Sequence, residues 1–117
     1  GFLHLTDRST FMIICGGVNI YPAEIEAAFY HHPDVHDIAV IGVPDDEFGE
    51  RVVAYYESKT GAPIADAELI EISRTNLASY KRPRLYVHVV DLPRNAVGKV
   101  LKRELRQPHW NQHERNV

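Results

Sequence analysis

The chain alternates short apolar runs with breaks rich in polar residues, proline and glycine, and the period of each run predicts an element. Residues 2–6, FLHLT, alternate with period two, and residues 11–15, FMIIC, form a second apolar stretch. With the turn-forming DRST between them, the two predict a β-hairpin. GGVNIYP follows as a glycine-rich loop. Pro22 suits the first turn of a helix, where its missing N–H costs nothing, and Glu24 and Glu26 lie where the helix dipole favours anions. Ile25, Ala28 and Phe29 give that helix an apolar stripe, and Pro33 ends it.

Residues 35–43, VHDIAVIGV, are apolar on both alternating sets, the pattern of a central strand. After the loop PDDEFGE, residues 51–59 predict another strand, stopped by TGAP. Asp66 is placed to cap a helix whose inward face is Leu69, Ile72, Ser73 and Leu77. A basic loop, SYKRPR, leads to a strand over 85–92, a turn PRNAVGK and a short helix carrying Leu101 and Leu105. Residues 107–117, QPHWNQHERNV, show no period and are expected to form a flexible tail. The order β-β-α-β-β-α-β-α predicts an α+β domain: an N-terminal hairpin plus a sheet of about three strands flanked by helices.

Composition narrows the class of protein without naming it. At 117 residues the chain is one domain in size, and 44% hydrophobic with 25% charged residues is ordinary for a soluble fold. A net charge of −3 argues against a dedicated nucleic-acid binder. One cysteine, Cys15, allows no disulfide within the chain, which suits a reducing cytoplasm. No apolar run approaches the ~18 residues of a membrane span. The chain starts at Gly1 without an initiator Met, already in strand-like sequence, and is expected to be a piece of something longer.

Three stretches bear candidate chemistry. Lys99 follows Gly98 on a turn, so a compact cation projects where phosphate or carboxylate can meet it; read alone, the stretch also fits a solvated lysine. It is no Walker lysine, since Val100 follows it instead of Ser or Thr. Gly16 and Gly17 permit close backbone approach to a ligand, or simply a tight connection. Tyr80, Lys81, Arg82 and Arg84 concentrate three cations and an aromatic in five residues, suited to a phosphorylated nucleotide or to solvent. His31, His32 and His36 are split by Pro33 and joined by no cysteine pair, so a zinc site is not expected. No serine has a nucleophile-elbow frame, and Cys15 reads as a small packing residue.

Taken in order, LTDRSTFMIICGGVNIYPAEIE, IAVIGVPDDEFGE, YKRPR and LPRNAVGKVLKREL resemble the C-terminal domain of the adenylate-forming superfamily. That group holds acyl-CoA synthetases, peptide-synthetase adenylation domains and firefly luciferase. The likeness covers residues 1–106, and GGVNIYPAEIE with the trailing HW resembles the fatty-acyl and aryl-CoA ligase branches. The resemblance implies a two-step reaction. A carboxylate attacks the α-phosphate of ATP to give acyl-AMP and pyrophosphate; the CoA thiol then displaces AMP. It also implies a large N-terminal domain, absent here, that holds ATP and the acid, with this domain a lid that rotates between steps. Mg²⁺ is expected with ATP in the whole enzyme and not on this domain. The isolated fragment is expected to be inactive.

By the same resemblance Lys99 matches the adenylation lysine that bridges carboxylate and phosphate. Arg8 matches an arginine on the AMP ribose, and Gly17, with Gly16, the glycines beside the pantetheine tunnel. Tyr80, Arg82 and Arg84 match contacts to the CoA nucleotide, and Glu24 has a supporting role. The hinge position falls on Thr10, where Asp or Lys is usual, so the customary charge is missing there. PRNAVGK also has the shape that protein acetyltransferases recognise, and acetylation of Lys99 would delete its charge. Two other readings stay open: acyl transfer to a carrier-protein pantetheine, and a non-catalytic interaction module.

Overall fold

The structure, a computed structural model, describes residues 12–115, and of the side chains those up to Trp110. The expected strand over 2–6, Arg8 and Thr10 lie outside the described residues. A hairpin is present, formed by β1, Ile13–Cys15, and β2, Val18–Ile20, in the register Ile13↔Ile20 and Cys15↔Val18. Its two-residue turn is Gly16–Gly17, with φ of +58° and +82°. Both central residues sit at positive φ, which a right-twisted hairpin demands and glycine grants without strain. What the sequence read as a loop is thus the turn and return strand of a hairpin.

Helix α1, Pro22–Phe29, starts on its proline and buries Ile25 and Phe29. Strand β3, Val35–Asp45, and β4, Gly49–Ser58, pair antiparallel. Helix α2, Asp66–Asn76, and a short 3₁₀ turn, Ser79–Lys81, then carry the chain across to β5, Leu85–His88. β5 pairs parallel with β4, so α2 is the crossover such a pairing requires. The strand order is β3-β4-β5. β4, not β3, is therefore central. β3 reads as central because both its faces are covered. Val40, Val52, Ala54 and Tyr56 pack with Ile13, Ile25, Phe29 and Leu69 on one side, and Ile41, Val43 and Val53 pack with Leu105 on the other. Apolar residues on both alternating sets report two covered faces, and say nothing of how many neighbours a strand has. The open edge of β3 is tended by α1: Glu26 Oε2 accepts the Val40 N–H at 2.8 Å and pairs with Lys102 Nζ at 2.6 Å.

Three further expectations are corrected. Asp66, expected to cap α2, is its first residue, with Ala65 at the cap and no side-chain cap bond. The strand foreseen over 85–92 stops at His88; Val90 is exposed, and Leu92 then returns to the core. The tail foreseen over 107–117 is helical as far as Arg115: α3 is Lys102–Arg115, with Pro108 inside it. Two anchors explain the extension. Trp110 Nε1 donates to Gly42 O at 2.9 Å, and the Tyr55 hydroxyl bonds His109 Nε2 at 2.8 Å. Neither anchor is aliphatic, so no hydrophobic period betrays the docking. No described helix is long and apolar enough to cross a membrane.

Candidate functional site on three turns

Lys99 stands on a small hairpin of its own. Arg94 and Val100 form an antiparallel bridge, the Asn95 N–H donates to Lys99 O at 2.9 Å, and the Leu101 N–H donates to Pro93 O at 2.7 Å. Asn95 Oδ1 accepts the N–H groups of Val97 and Lys99, each at 3.0 Å, so one short side chain fastens the whole turn. Gly98, at φ +88°, makes the left-handed step before the lysine. Residues 95–99 are all exposed, Lys99 included, and Val97 at the tip is 87% exposed. The turn is thus fastened in its backbone, and each of its residues reaches solvent.

What ties this turn to the sheet is a charged cluster beneath it. Arg94 Nη1 donates to Glu57 Oε2 at 2.8 Å, while Nη2 reaches Glu57 Oε1 at 3.1 Å and Asp37 Oδ2 at 2.7 Å. Asp37 and Glu57 are cross-strand partners on β3 and β4, so without the guanidinium two carboxylates would face each other. Glu57 is buried and also accepts the Leu92 N–H. Tyr30, at the end of α1, donates its hydroxyl to Asp37 Oδ1 at 2.6 Å. The electrostatics follow the contacts. Arg94 holds the Glu57 carboxyl below the usual range against the pull of burial. Burial pushes Asp37 up, but the Tyr30 and Arg94 hydrogen bonds outweigh it and its net shift is downward. Burial and the neighbouring Asp37 push the Tyr30 hydroxyl well above its ordinary value.

The second turn is Gly16–Gly17. A Cβ on Gly17 would meet nothing within 4 Å, so its backbone conformation, not crowding inside this domain, is what demands glycine. Gly16 donates its N–H to Phe48 O at 2.9 Å, and Ile14 donates to Glu50 Oε2 at 3.1 Å, which seats the hairpin against the start of β4.

The third is the basic stretch after α2. Tyr80, Arg82 and Arg84 line one groove of about 410 Å³ together with Arg74, Ile70, Ser73, Ser79 and Pro83. Arg82 also caps α2, donating from Nε to Leu77 O at 3.0 Å and from Nη2 to Arg74 O at 3.4 Å. Lys81 turns away to Glu24 at 2.8 Å, so Glu24 ties α1 to this stretch. Arg74, Arg94, Asn95, Glu57 and Asp37 escaped sequence reasoning. Arg74 faces the groove from the last turn of a helix, and the carboxylates lie in strands far from the turn they hold. Only Asn95, two residues before Val97 in a glycine-bearing turn, left a local signal. Among the described residues no cluster of three or more His, Cys, Asp or Glu is arranged to hold a metal ion.

The comparisons place this geometry among known proteins. Residues 24–99 match the model of the AMP-binding enzyme C-terminal domain. The chain is 43% identical over 113 residues to a long-chain-fatty-acid–CoA ligase of Bacillus subtilis, covering 97% of this chain and 20% of that protein. It is 44% identical over 107 residues to a 2-succinylbenzoate–CoA ligase of Geobacillus kaustophilus, covering 92% of this chain and 22% of the relative. The crystal structure of apo MatB from Rhodopseudomonas palustris superposes with a TM-score of 0.80 at 42% identity, over 86% of this chain and 20% of that one. The chain thus spans about a fifth of the length of its relatives. With the matched region ending on Lys99 itself, and the mixed fold shared with a solved relative, the chain belongs to the AMP-binding enzyme C-terminal domain family.

Proposed function

We propose that this chain is the mobile C-terminal domain of an acid–thiol ligase that activates a fatty or aryl carboxylic acid with ATP and transfers the acyl group to CoA. In the first step a carboxylate oxygen attacks the α-phosphorus, an O–P bond forms, and pyrophosphate leaves. In the second the CoA sulfur attacks the acyl carbon, and AMP leaves with the bonding pair. The observation that carries the reading is Lys99: an exposed cation on a turn whose backbone is fastened at both ends. Such a group meets charge developing at phosphorus with little reorganisation, and removing a preorganised donor of this kind costs about 10²- to 10³-fold in rate. Arg8 would contact the AMP ribose, Thr10 would absorb the rotation, and the Gly16–Gly17 turn would border the path of the thiol arm. ATP, its Mg²⁺ and the acid would be held by a large N-terminal domain, so the fragment alone would not catalyse.

In the whole enzyme, Lys99→Ala is expected to lower acid-dependent ATP–pyrophosphate exchange by that factor and to spare thioester formation from supplied acyl-AMP. Equal loss of both half-reactions would refute the assignment. A carrier-protein pantetheine is the rival acceptor. The groove of Arg74, Tyr80, Arg82 and Arg84 favours free CoA, whose nucleotide bears phosphates that a carrier lacks. CoA should therefore outperform pantetheine as acceptor; equal kcat/KM for the two would favour the carrier.

A further inference from the structure

We infer that Arg94 is a positioning residue for Lys99, and that the Asp37–Glu57 carboxylate pair is the floor on which the lysine turn is aimed. The inference rests on the adenylation role proposed for Lys99. Its ground is the way the turn is attached. Residues 95–99 are all exposed and rest on no core. At the base of the turn Leu92 is buried and Arg94 pairs with Val100, the residue that follows Lys99. Any rotation of the base is carried straight to the lysine, because the Asn95 side chain and the Asn95–Lys99 backbone bond make the turn one rigid piece.

The base is held against rotation by two contacts that use different strands. One guanidinium nitrogen serves Glu57 on β4, and the other spans Glu57 and Asp37 on β3. A planar fork with donors on two sides fixes direction as well as distance; a lysine at this position would supply charge to one carboxylate without fixing the angle. Asp37 is itself braced by Tyr30 from α1, and the buried Glu57 by the Leu92 N–H, so the floor does not give. The cluster therefore links α1, β3 and β4 to the turn. A cluster serving stability alone needs no geometry toward Lys99, and the two roles separate experimentally. An error of about 1 Å in a reacting group costs on the order of 10²-fold in rate.

The test uses the full-length ligase and follows the two half-reactions separately: ATP–pyrophosphate exchange, and thioester formation from supplied acyl-AMP. Arg94→Met is expected to lower the kcat of exchange by about 10- to 100-fold with the KM for ATP and acid little changed, and to leave thioester formation intact. Arg94→Lys, which keeps the charge, should recover only part of the loss; it also serves as the informative variant should Arg94→Met fail to fold. The double variant Arg94→Met/Lys99→Ala should lose no more than Lys99→Ala alone, since Arg94 acts through that lysine. Exchange unaltered in both Arg94 variants while Lys99→Ala abolishes it would overturn this inference and leave the functional reading standing. So would equal loss of both half-reactions in the Arg94 variants, or a further loss in the double variant. Normal exchange in Lys99→Ala itself would instead sink the functional reading.

Discussion

Glu57→Gln isolates the worth of the buried carboxylate under the lysine turn. The side chain is 5% exposed and accepts three donors: the Leu92 N–H and two guanidinium nitrogens of Arg94. Glutamine keeps the shape but replaces one oxygen with an NH₂ group. Whichever way the amide is turned, a donor then faces a donor. A lost hydrogen bond to a charged group is worth about 1.5–3 kcal/mol, and the Asp37–Arg94 bond remains to offset part of the damage. Arg94 and Asp37 are each about a quarter exposed, so solvent screens some of the remainder. The net cost expected is about 2–3 kcal/mol. With a urea m-value of about 1–3 kcal/mol/M, the midpoint of this chain should fall by roughly 0.7–3 M.

The pH dependence supplies the check on cause. The folded state holds the Glu57 carboxyl below its unfolded value, chiefly through Arg94. Its contribution is therefore complete above an unfolded pKa of about 4.3 and is lost as pH falls through the folded value. The gap between wild type and Glu57→Gln, full at pH 7, should narrow as the pH drops below about 4. A variant within 0.5 kcal/mol of wild type at pH 7, or a gap that stays constant into acid (the threshold being about the spread of neutral surface substitutions), would refute the reasoning.

Two further outcomes follow from packing and burial. A methyl group added at Gly42 would overlap Glu50 Oε1 and come within 3.1 Å of two Ile13 carbons, so Gly42→Ala should cost about 1–3 kcal/mol in urea unfolding and loosen the Glu50–Ile14 bond that seats the β1–β2 hairpin; an unchanged midpoint would show that the hairpin shifts freely. Burial, then the neighbouring charge of Arg51, holds the His109 imidazole below its usual value, so its neutral form is favoured in the fold. That contribution is whole above about pH 6.5 and falls away as pH drops through the folded value, with a slope of at most about 1.4 kcal/mol per pH unit. Wild type should therefore lose stability between pH 7 and 5 relative to His109→Gln, and parallel pH curves would count against it.

Helices α1 and α2, the buried faces of β3 and β4, and the glycine-bearing lysine turn were legible in the chain, because each follows from rules that act within a few residues. Pro22 starts α1, the positions of Leu69 and Ser73 mark the inner face of α2, and Gly98 permits the step before Lys99. The family resemblance was also carried by contiguous stretches, and the match over residues 24–99 agrees with it. Other features were not local. Strand order put β4 at the centre, since alternation records which faces are covered and not which strand lies alongside. The extension of α3 depends on Trp110 meeting a carbonyl 68 residues away, and the aim of the lysine turn on Arg94 meeting carboxylates 37 and 57 residues away. The sequence alone thus determined which pieces form and which chemistry they carry. The tertiary structure decided how that chemistry is held, because hydrogen bonds between distant residues leave no period in the chain that makes them.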